Sequence, residues 1–147
     1  MRAAVSPGPW GADARPESGS RLIVDAMNVI GSRPDGWWRD RDGAVRALVG
    51  RLSVLAAAGG GGVTVVADGR PLRDMPEGEH GGVTVLYAWP GRNAADDRIV
   101  ELLRNVDDPV AYEVVTSDRA LADRVRAIGA RVRGARSLLD ELDALGA

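Results

Sequence analysis

The sequence contains no cysteine and no lysine, and His80 is its single histidine. Without cysteine the chain can form neither a disulfide framework nor a thiolate zinc site, and one histidine cannot complete a Cys/His metal cluster. The missing lysine excludes Walker-type phosphate loops and Schiff-base enzymes. His80 lies between turn residues, so we expect it to be exposed in a loop. The ionisable groups left for catalysis are carboxylates.

Long apolar runs are also missing. No stretch approaches the ~20 residues of a membrane span, and the first residues lack the apolar segment of a signal peptide. We therefore expect a cytoplasmic protein with no membrane association. The 19 arginines and 21 acidic residues give a net charge of −2, so overall charge does not indicate nucleic-acid binding.

The length of 147 residues fits one domain. Residues 1–20 are rich in proline and glycine and have no periodic apolar pattern, which is typical of a flexible leader. Residues 21–147 are then predicted to form a single domain.

Within this domain, short apolar and β-branched runs alternate with helical periodicity. The runs predict strands over residues 22–24, 63–67, 83–87 and 113–116, with a weaker one over 131–133. Apolar spacings of three and four residues predict helices over 45–55, 99–103, 121–128 and 138–145. The alternation predicts an α/β fold: an open, mostly parallel sheet of four to five strands with helices on both faces. Residues 69–82 are barely long enough for a parallel crossover.

Aspartates follow the predicted strands. Asp25 and Asp68 come directly after strands, the fourth strand runs into Ser117 and Asp118, and Asp96 and Asp97 begin the helix after the third strand. The carboxyl ends of parallel strands lie at one sheet edge, where open α/β folds bind ligands. Two carboxylates about 4 Å apart repel by roughly 4 kcal/mol at an effective dielectric of 20. Oxygen-only ligands therefore favour a hard cation at this edge, Mg²⁺ or Mn²⁺.

Each aspartate also has an ordinary structural interpretation. Asp118 precedes a helix and is suited to cap it, while Asp96 and Asp97 lie in a first helical turn that favours anions. Asp68 precedes a glycine and could shape a turn. This alternative is weakest for Asp25, because no clear helix start follows it and a buried strand leads into the carboxylate. Taken together, the spacing favours a metal site.

The aspartates lie in four segments of residues 21–142: Leu22-Ile23-Val24-Asp25-Ala26-Met27-Asn28-Val29-Ile30-Gly31, Val65-Val66-Ala67-Asp68, Ala95-Asp96-Asp97-Arg98-Ile99 and Val115-Thr116-Ser117-Asp118. In this order and spacing, the four segments resemble the NYN family of PIN-like metal-dependent ribonucleases, specifically its YacP-like branch. The chain departs from the branch at Ala26-Met27, where Gly-Tyr is common. An aromatic contact near the site is therefore expected to be missing.

The resemblance implies a PIN-like three-layer architecture and assigns roles to polar residues. The implied metal ligands are Asp25, Asp96 and Asp118. Asn28 is implied to orient the site or contact the scissile phosphate, and Asp97 or Asp68 to support the metal. The catalytic set is then Asp25, Asn28, Asp96 and Asp118.

Arginines surround the same predicted edge. Its loops carry Arg33, Arg39, Arg41, Arg70, Arg73, Arg92, Arg98 and Arg119. A neutral protein can thus present a basic rim around an acidic centre, although single surface arginines often pair with neighbouring acids. Trp37 and Trp38 could stack unpaired bases, and we expect one of them packed and one available. The predicted substrate-binding residues are Arg33, Trp37, Trp38, Arg39, Arg70, Arg92, Ser117 and Arg119.

The function predicted from the sequence is metal-assisted phosphodiester hydrolysis of single-stranded RNA by an endoribonuclease, leaving a 3′-hydroxyl and a 5′-phosphate. RNA is favoured over DNA by the resemblance alone. The main alternative is a non-catalytic RNA- or ribosome-binding module on the same fold. A toxin of the PIN class would use the same aspartates, and the oligomeric state stays open.

Overall fold

The computed structural model describes residues 21–59, 61–91 and 93–147, so the predicted leader lies outside the described residues. The strands are β1 (Arg21–Asp25), β2 (Val63–Asp68), β3 (Gly78–His80), β4 (Val83–Ala88), β5 (Tyr112–Val115) and β6 (Arg131–Arg133). The α-helices are α1 (Ala26–Gly31), α2 (Arg41–Ala58), α3 (Ala94–Arg104), α4 (Arg119–Ile128) and α5 (Ala135–Ala144). Trp37–Arg39 and Pro109–Ala111 form single 3-10 turns.

The sheet has six strands in the order β3-β4-β2-β1-β5-β6. Every neighbouring pair is parallel except β3 with β4. The mostly parallel α/β fold is confirmed, with one strand more than the sequence predicts. The additional strand is β3, whose Gly-Glu-His sequence has no β-propensity signal. His80 is therefore a half-buried residue of an edge strand and not the exposed loop residue that we expected.

The connection between β2 and β4 explains how so few residues join parallel strands. β3 lies beyond β4 and runs antiparallel to it, so it returns the chain to the beginning of β4. Two hydrogen bonds tie the connection to Tyr87: its hydroxyl donates to the carbonyl of Met75 at 2.7 Å, and the Glu77 carboxylate accepts from its backbone N–H at 2.9 Å. A strand and these two bonds replace the usual crossover helix.

Helices cover both faces of the sheet. Alternate side chains of β1 show the division, because Val24 packs in one apolar cluster and Ile23 in the other. α1, α2 and α5 contribute to the cluster of Val24, and α3 and α4 to that of Ile23. The three layers place the carboxyl ends of β1, β2, β4 and β5 at one edge. No helix within the described ranges is long and apolar enough to cross a membrane.

The four predicted helices are present, and α1 is an addition that the sequence did not signal. It begins directly after β1 at Ala26, and its N-cap Asp25 makes no side-chain cap hydrogen bond. Ala26 and Val29 are buried against the sheet, so tertiary packing stabilises this short helix. Its place directly after β1 brings Asn28 to the edge where the aspartates lie.

We expect Tyr87→Phe to lower the free energy of unfolding by about 1 kcal/mol, because the buried carbonyl of Met75 loses its donor. Urea denaturation measures the loss. Amide exchange should also accelerate in residues 69–77, which this bond holds against β4. Unchanged stability together with unchanged exchange would show that the hydroxyl does not anchor the connection.

Candidate active site

Four aspartates gather at the carboxyl edge of the sheet. Asp25 ends β1 and Asp68 ends β2, while Asp118 follows β5 and caps α4. Asp96 lies in the first turn of α3, which follows β4. Because β1 lies between β2 and β5, Asp25 occupies the centre of this group. The predicted convergence of strand-terminal aspartates is therefore observed at the level of the fold.

Asp25 is the buried member of the group. The residue is only 4% exposed, and its Oδ2 accepts a hydrogen bond of 2.9 Å from the Thr116 hydroxyl. Burial raises its pKa to about 6, and the charges of Asp96 and Asp68 act in the same direction. The hydrogen bond from Thr116 opposes that rise. A carboxylate in this position favours a positive ligand, which would relieve both effects.

Asp96 lies close enough to Asp25 for its charge to act on that residue, and it accepts no hydrogen bond within the described part of the chain. Burial raises its pKa, and the neighbouring charges of Asp118 and Asp68 raise it further. The charge of Arg124 acts in the opposite direction. The Asp96 carboxylate does not cap the N-terminus of α3, so both of its oxygens are available to a ligand.

Asp68 and Asp118 each commit one oxygen to a helix. Oδ1 of Asp68 accepts from the backbone N–H of Ala95 at 3.1 Å, and Oδ1 of Asp118 accepts from that of Leu121 at 3.1 Å. The capping interpretation of Asp118 is thus confirmed. Oδ2 of each residue makes no hydrogen bond among the described residues, so capping and ligand binding are compatible.

Asp97 is held differently from the other acidic residues. Its carboxylate forms an ion pair of 3.0 Å with Arg124, and its side chain is 69% exposed. The pair joins α3 to α4. Asp97 thus has a partner of its own, whereas Asp25, Asp68, Asp96 and Asp118 form no ion pair within the described ranges.

A polar network fixes the arrangement of β5 against β1. The Thr116 hydroxyl donates to Asp25 and accepts from the backbone N–H of Asp118 at 3.1 Å. The side-chain oxygen of Asn28 accepts from the backbone N–H of Ser117 at 2.7 Å, and the Ser117 hydroxyl accepts from that of Ala135 at 3.0 Å. Asn28 therefore positions the loop that carries Asp118.

Thr116 is the site residue that the sequence reasoning missed. It is 2% exposed and touches two of the aspartates. A threonine at the end of a buried strand, two residues before a predicted ligand, was the available signal. β-branched residues are common in strands for packing reasons alone, so the position did not stand out.

The donor set suits a hard divalent cation because all of its ligands are carboxylate oxygens. Within residues 21–59, 61–91 and 93–147, however, no three Asp, Glu or His side chains are grouped as a complete metal site. Mg²⁺ commonly binds through one or two carboxylates and completes its shell with water and substrate phosphate. The arrangement fits that mode better than a cage formed by protein ligands alone.

The sequence and the fold of the chain both match known proteins. Residues 22–147 match the YacP-like NYN domain. The chain belongs to this family. Two solved structures are similar to it: Rae1 (YacP) from Bacillus subtilis, and a tryptophan-to-leucine variant of the same protein. The first is 25% identical, with a TM-score of 0.68, over 86% of this chain and 75% of that one. The variant is 24% identical, with a TM-score of 0.68, over 86% and 77%. No curated protein sequence matches the chain.

The predicted arginine rim of this NYN domain is partly committed to ion pairs. Arg33 is paired with Asp143 at 2.8 Å, and Arg98 with Glu77 at 2.5 Å. The predicted rim residues that form no ion pair in the described part of the chain are Arg39, Arg41, Arg70, Arg73 and Arg119. Arg92 lies outside the described residues.

Trp37 and Trp38 divide as expected. Trp37 is half-buried and lines a cavity between α1, α2 and α5, whereas Trp38 is 56% exposed. Their rings meet edge to face, with centroids 6.0 Å apart, and the Arg39 guanidinium lies 5.9 Å from the Trp38 ring centre. An exposed indole beside an unpaired guanidinium is a suitable platform for an unstacked base.

We expect Asp25→Asn to stabilise the metal-free protein at neutral pH. A buried carboxyl with a pKa of about 6 instead of 3.8 costs the folded state up to about 3 kcal/mol at pH 7.5. Because the folded state binds the proton more tightly, wild-type stability falls as the pH rises from about 4 to about 6. The difference between variant and wild type should therefore vanish below pH 4.

Urea denaturation in EDTA at pH 4 and pH 7.5 measures this difference. Asp107→Asn, on the exposed surface, is the control and should match wild type at both pH values. A variant that is less stable than wild type at pH 7.5 would contradict the account of Asp25.

Proposed function

We propose that this NYN domain is a metal-dependent endoribonuclease that hydrolyses phosphodiester bonds of single-stranded RNA. The observation that carries the proposal is the group Asp25, Asp68, Asp96 and Asp118, drawn from separate strand ends and lacking ion-pair partners among the described residues. Such a group repels itself unless a cation joins it. The resemblance to PIN-like ribonucleases and the family membership support the same conclusion.

Of Asp25, Asp96 and Asp118, one or two would contact Mg²⁺ or Mn²⁺ directly, and the others would act through coordinated water. Asp68 would support them, whereas Asp97 would first have to leave Arg124. The ion, when bound, would lower the pKa of a coordinated water and stabilise the charge of the departing oxygen. The burial of Asp25 would strengthen its attraction for the ion, because a desolvated carboxylate is electrostatically stronger than one in water.

Other residues would act by holding these groups in place. Thr116 fixes the orientation of the Asp25 carboxylate by donating to it, and holds the backbone of Asp118 through the same oxygen. Asn28 restrains Ser117 and so limits the movement of the β5–α4 loop. Its amide nitrogen makes no hydrogen bond within the described residues and could donate to the scissile phosphate.

RNA would be bound by the arginines and tryptophans around this edge. Arg39, Arg70 and Arg119 are exposed and free of ion pairs in the described part of the chain, so they can reach phosphates without breaking an ion pair. Arg33 would have to leave Asp143. Trp38 would stack an unpaired base. A cytoplasmic location and association with the ribosome remain predictions.

A second candidate is a non-catalytic RNA- or ribosome-binding module. It is favoured by the absence, within the described residues, of three carboxylates already grouped around one point. In this alternative the arginine rim binds RNA independently of any metal. The two functions differ in whether labelled RNA is cut, which decides between them.

We expect Asp96→Asn to abolish cleavage of labelled single-stranded RNA while leaving the fold intact, because the Asp96 carboxylate supports no hydrogen bond among the described residues. EDTA should stop the wild-type reaction, and Mg²⁺ or Mn²⁺ should restore it. Asp107→Asn is the control and should cleave like wild type. A denaturing gel follows the products. If the wild type binds RNA but does not cleave it in Mg²⁺ or in Mn²⁺, the protein is the non-catalytic module.

We expect Trp38→Ala to weaken binding of a single-stranded oligonucleotide by roughly 5- to 150-fold, equivalent to about 1–3 kcal/mol for one lost stack. Fluorescence anisotropy in EDTA measures binding without cleavage. Val110→Ala is a matched control, because Val110 is 61% exposed and precedes β5 at the opposite edge of the sheet. Equal affinities of wild type and Trp38→Ala would exclude this contact.

A further inference from the structure

Arg21 is a buried cation far from the aspartates. It begins β1 and Asp25 ends it, so the two Cα atoms are roughly 13 Å apart along the strand. Arg21 is 3% exposed, and its Nε and Nη2 atoms are fully buried with no hydrogen-bond partner in the described part of the chain. A buried guanidinium that lacks acceptors is strongly unfavourable, so the position calls for an explanation.

The Tyr112 ring accounts for only part of the surroundings of Arg21. The guanidinium carbon lies 5.6 Å from the ring centre, which is within range of a cation–π interaction. Such a contact offsets some of the positive charge, but it provides no acceptor for N–H groups in the plane of the guanidinium. Nε and Nη2 therefore still need oxygen atoms.

A cavity of about 200 Å³ adjoins this guanidinium. Thr64 and Thr84 line it and are aligned across β2 and β4, and neither hydroxyl makes a hydrogen bond within the described residues. Both hydroxyls can donate to a ligand. The cavity thus combines one buried, unpaired cation with two available hydroxyl donors and has room for a small oxyanion.

Among the described residues, Glu79 is the one acidic residue that lines the cavity. It lies on β3 opposite Thr84 and is exposed, and it forms no ion pair with Arg21. Its carboxylate therefore leaves the buried donors of Arg21 unsatisfied. At the mouth of the cavity it would disfavour a second anion, so a variant without this charge should bind an anion more tightly.

We propose that this cavity is an oxyanion-binding site in which Arg21 binds a phosphate or carboxylate group, with Thr64 and Thr84 as additional donors. The oxyanion comes either from a separate molecule or from a carboxylate of the chain's own residues 1–20, among which are Asp13 and Glu17. The site lies at the amino ends of the strands and is independent of the proposed nuclease function.

Thermal unfolding of the full chain in increasing inorganic phosphate, at constant ionic strength, tests the site. We expect a saturable rise in Tm of about 3 °C or more for wild type and none for Arg21→Met. Arg131→Gln, which removes an exposed arginine of β6, should respond like wild type. If the oxyanion is a separate molecule, Arg21→Met in phosphate-free buffer should be at least as stable as wild type, because an unpaired buried charge has been removed; if it is a carboxylate of residues 1–20, Arg21→Met should be less stable, because a buried pair has been broken.

The double variant D13N/E17Q separates the two sources of the oxyanion. A phosphate response in wild type indicates a separate molecule. A response that appears only in the double variant indicates that a carboxylate of residues 1–20 occupies the cavity. If neither protein responds more than Arg21→Met, the proposal is overturned.

Two further variants keep the test decisive. If Arg21→Met does not fold, Arg21→Lys retains the charge without the guanidinium fork, and its phosphate binding by calorimetry should be weaker than that of wild type. Glu79→Gln should bind phosphate more tightly than wild type. If Glu79→Gln is less stable than wild type and does not bind phosphate, Arg21 forms an ion pair with Glu79 in solution. That result would contradict the proposal.

Discussion

The buried carboxylate of Asp25 is the constraint on which the rest of the site depends. Packing of the central strand between two helical layers removes this group from water, and the nearby aspartates add like charge. Among the described residues no arginine pairs with it, although the chain carries 19 of them. The fold therefore holds the Asp25 carboxylate in surroundings that disfavour its negative charge. Binding of a cation or of a proton there stabilises the folded protein. That property is typical of functional sites and unusual for a purely structural core.

The surrounding contacts preserve this arrangement without neutralising it. Thr116 donates a neutral hydrogen bond, which orients Asp25 and moderates its pKa. Asp68 and Asp118 satisfy backbone donors of α3 and α4 and retain one oxygen each. Helix capping and ligand binding thus use different atoms of the same side chains. This division explains how residues with ordinary structural roles can also form a metal site.

The sequence predicts the elements that have strong local signals and misses those that depend on tertiary contacts. The strands that end at Asp25 and Asp68 consist mainly of apolar and β-branched residues, so they and their aspartates could be located directly. α1 is short and is stabilised by packing of its buried residues. β3 is also short and is stabilised by pairing with β4. The ion pair between Arg33 and Asp143 joins residues 110 positions apart, which no local pattern indicates. The hydrogen bond from Thr116 to Asp25 joins residues 91 positions apart, so the sequence did not indicate it either.

The most direct test of the account is an NMR titration of the Asp25 carboxyl carbon with and without Mg²⁺. Without the metal its pKa should be about 6, because burial and neighbouring aspartates disfavour the charged form. With saturating Mg²⁺ the pKa should fall well below that value, since a cation favours the carboxylate. A pKa near 3.8 in the metal-free protein, or a value that Mg²⁺ does not move, would contradict the claim that this edge of the sheet is built to hold a cation.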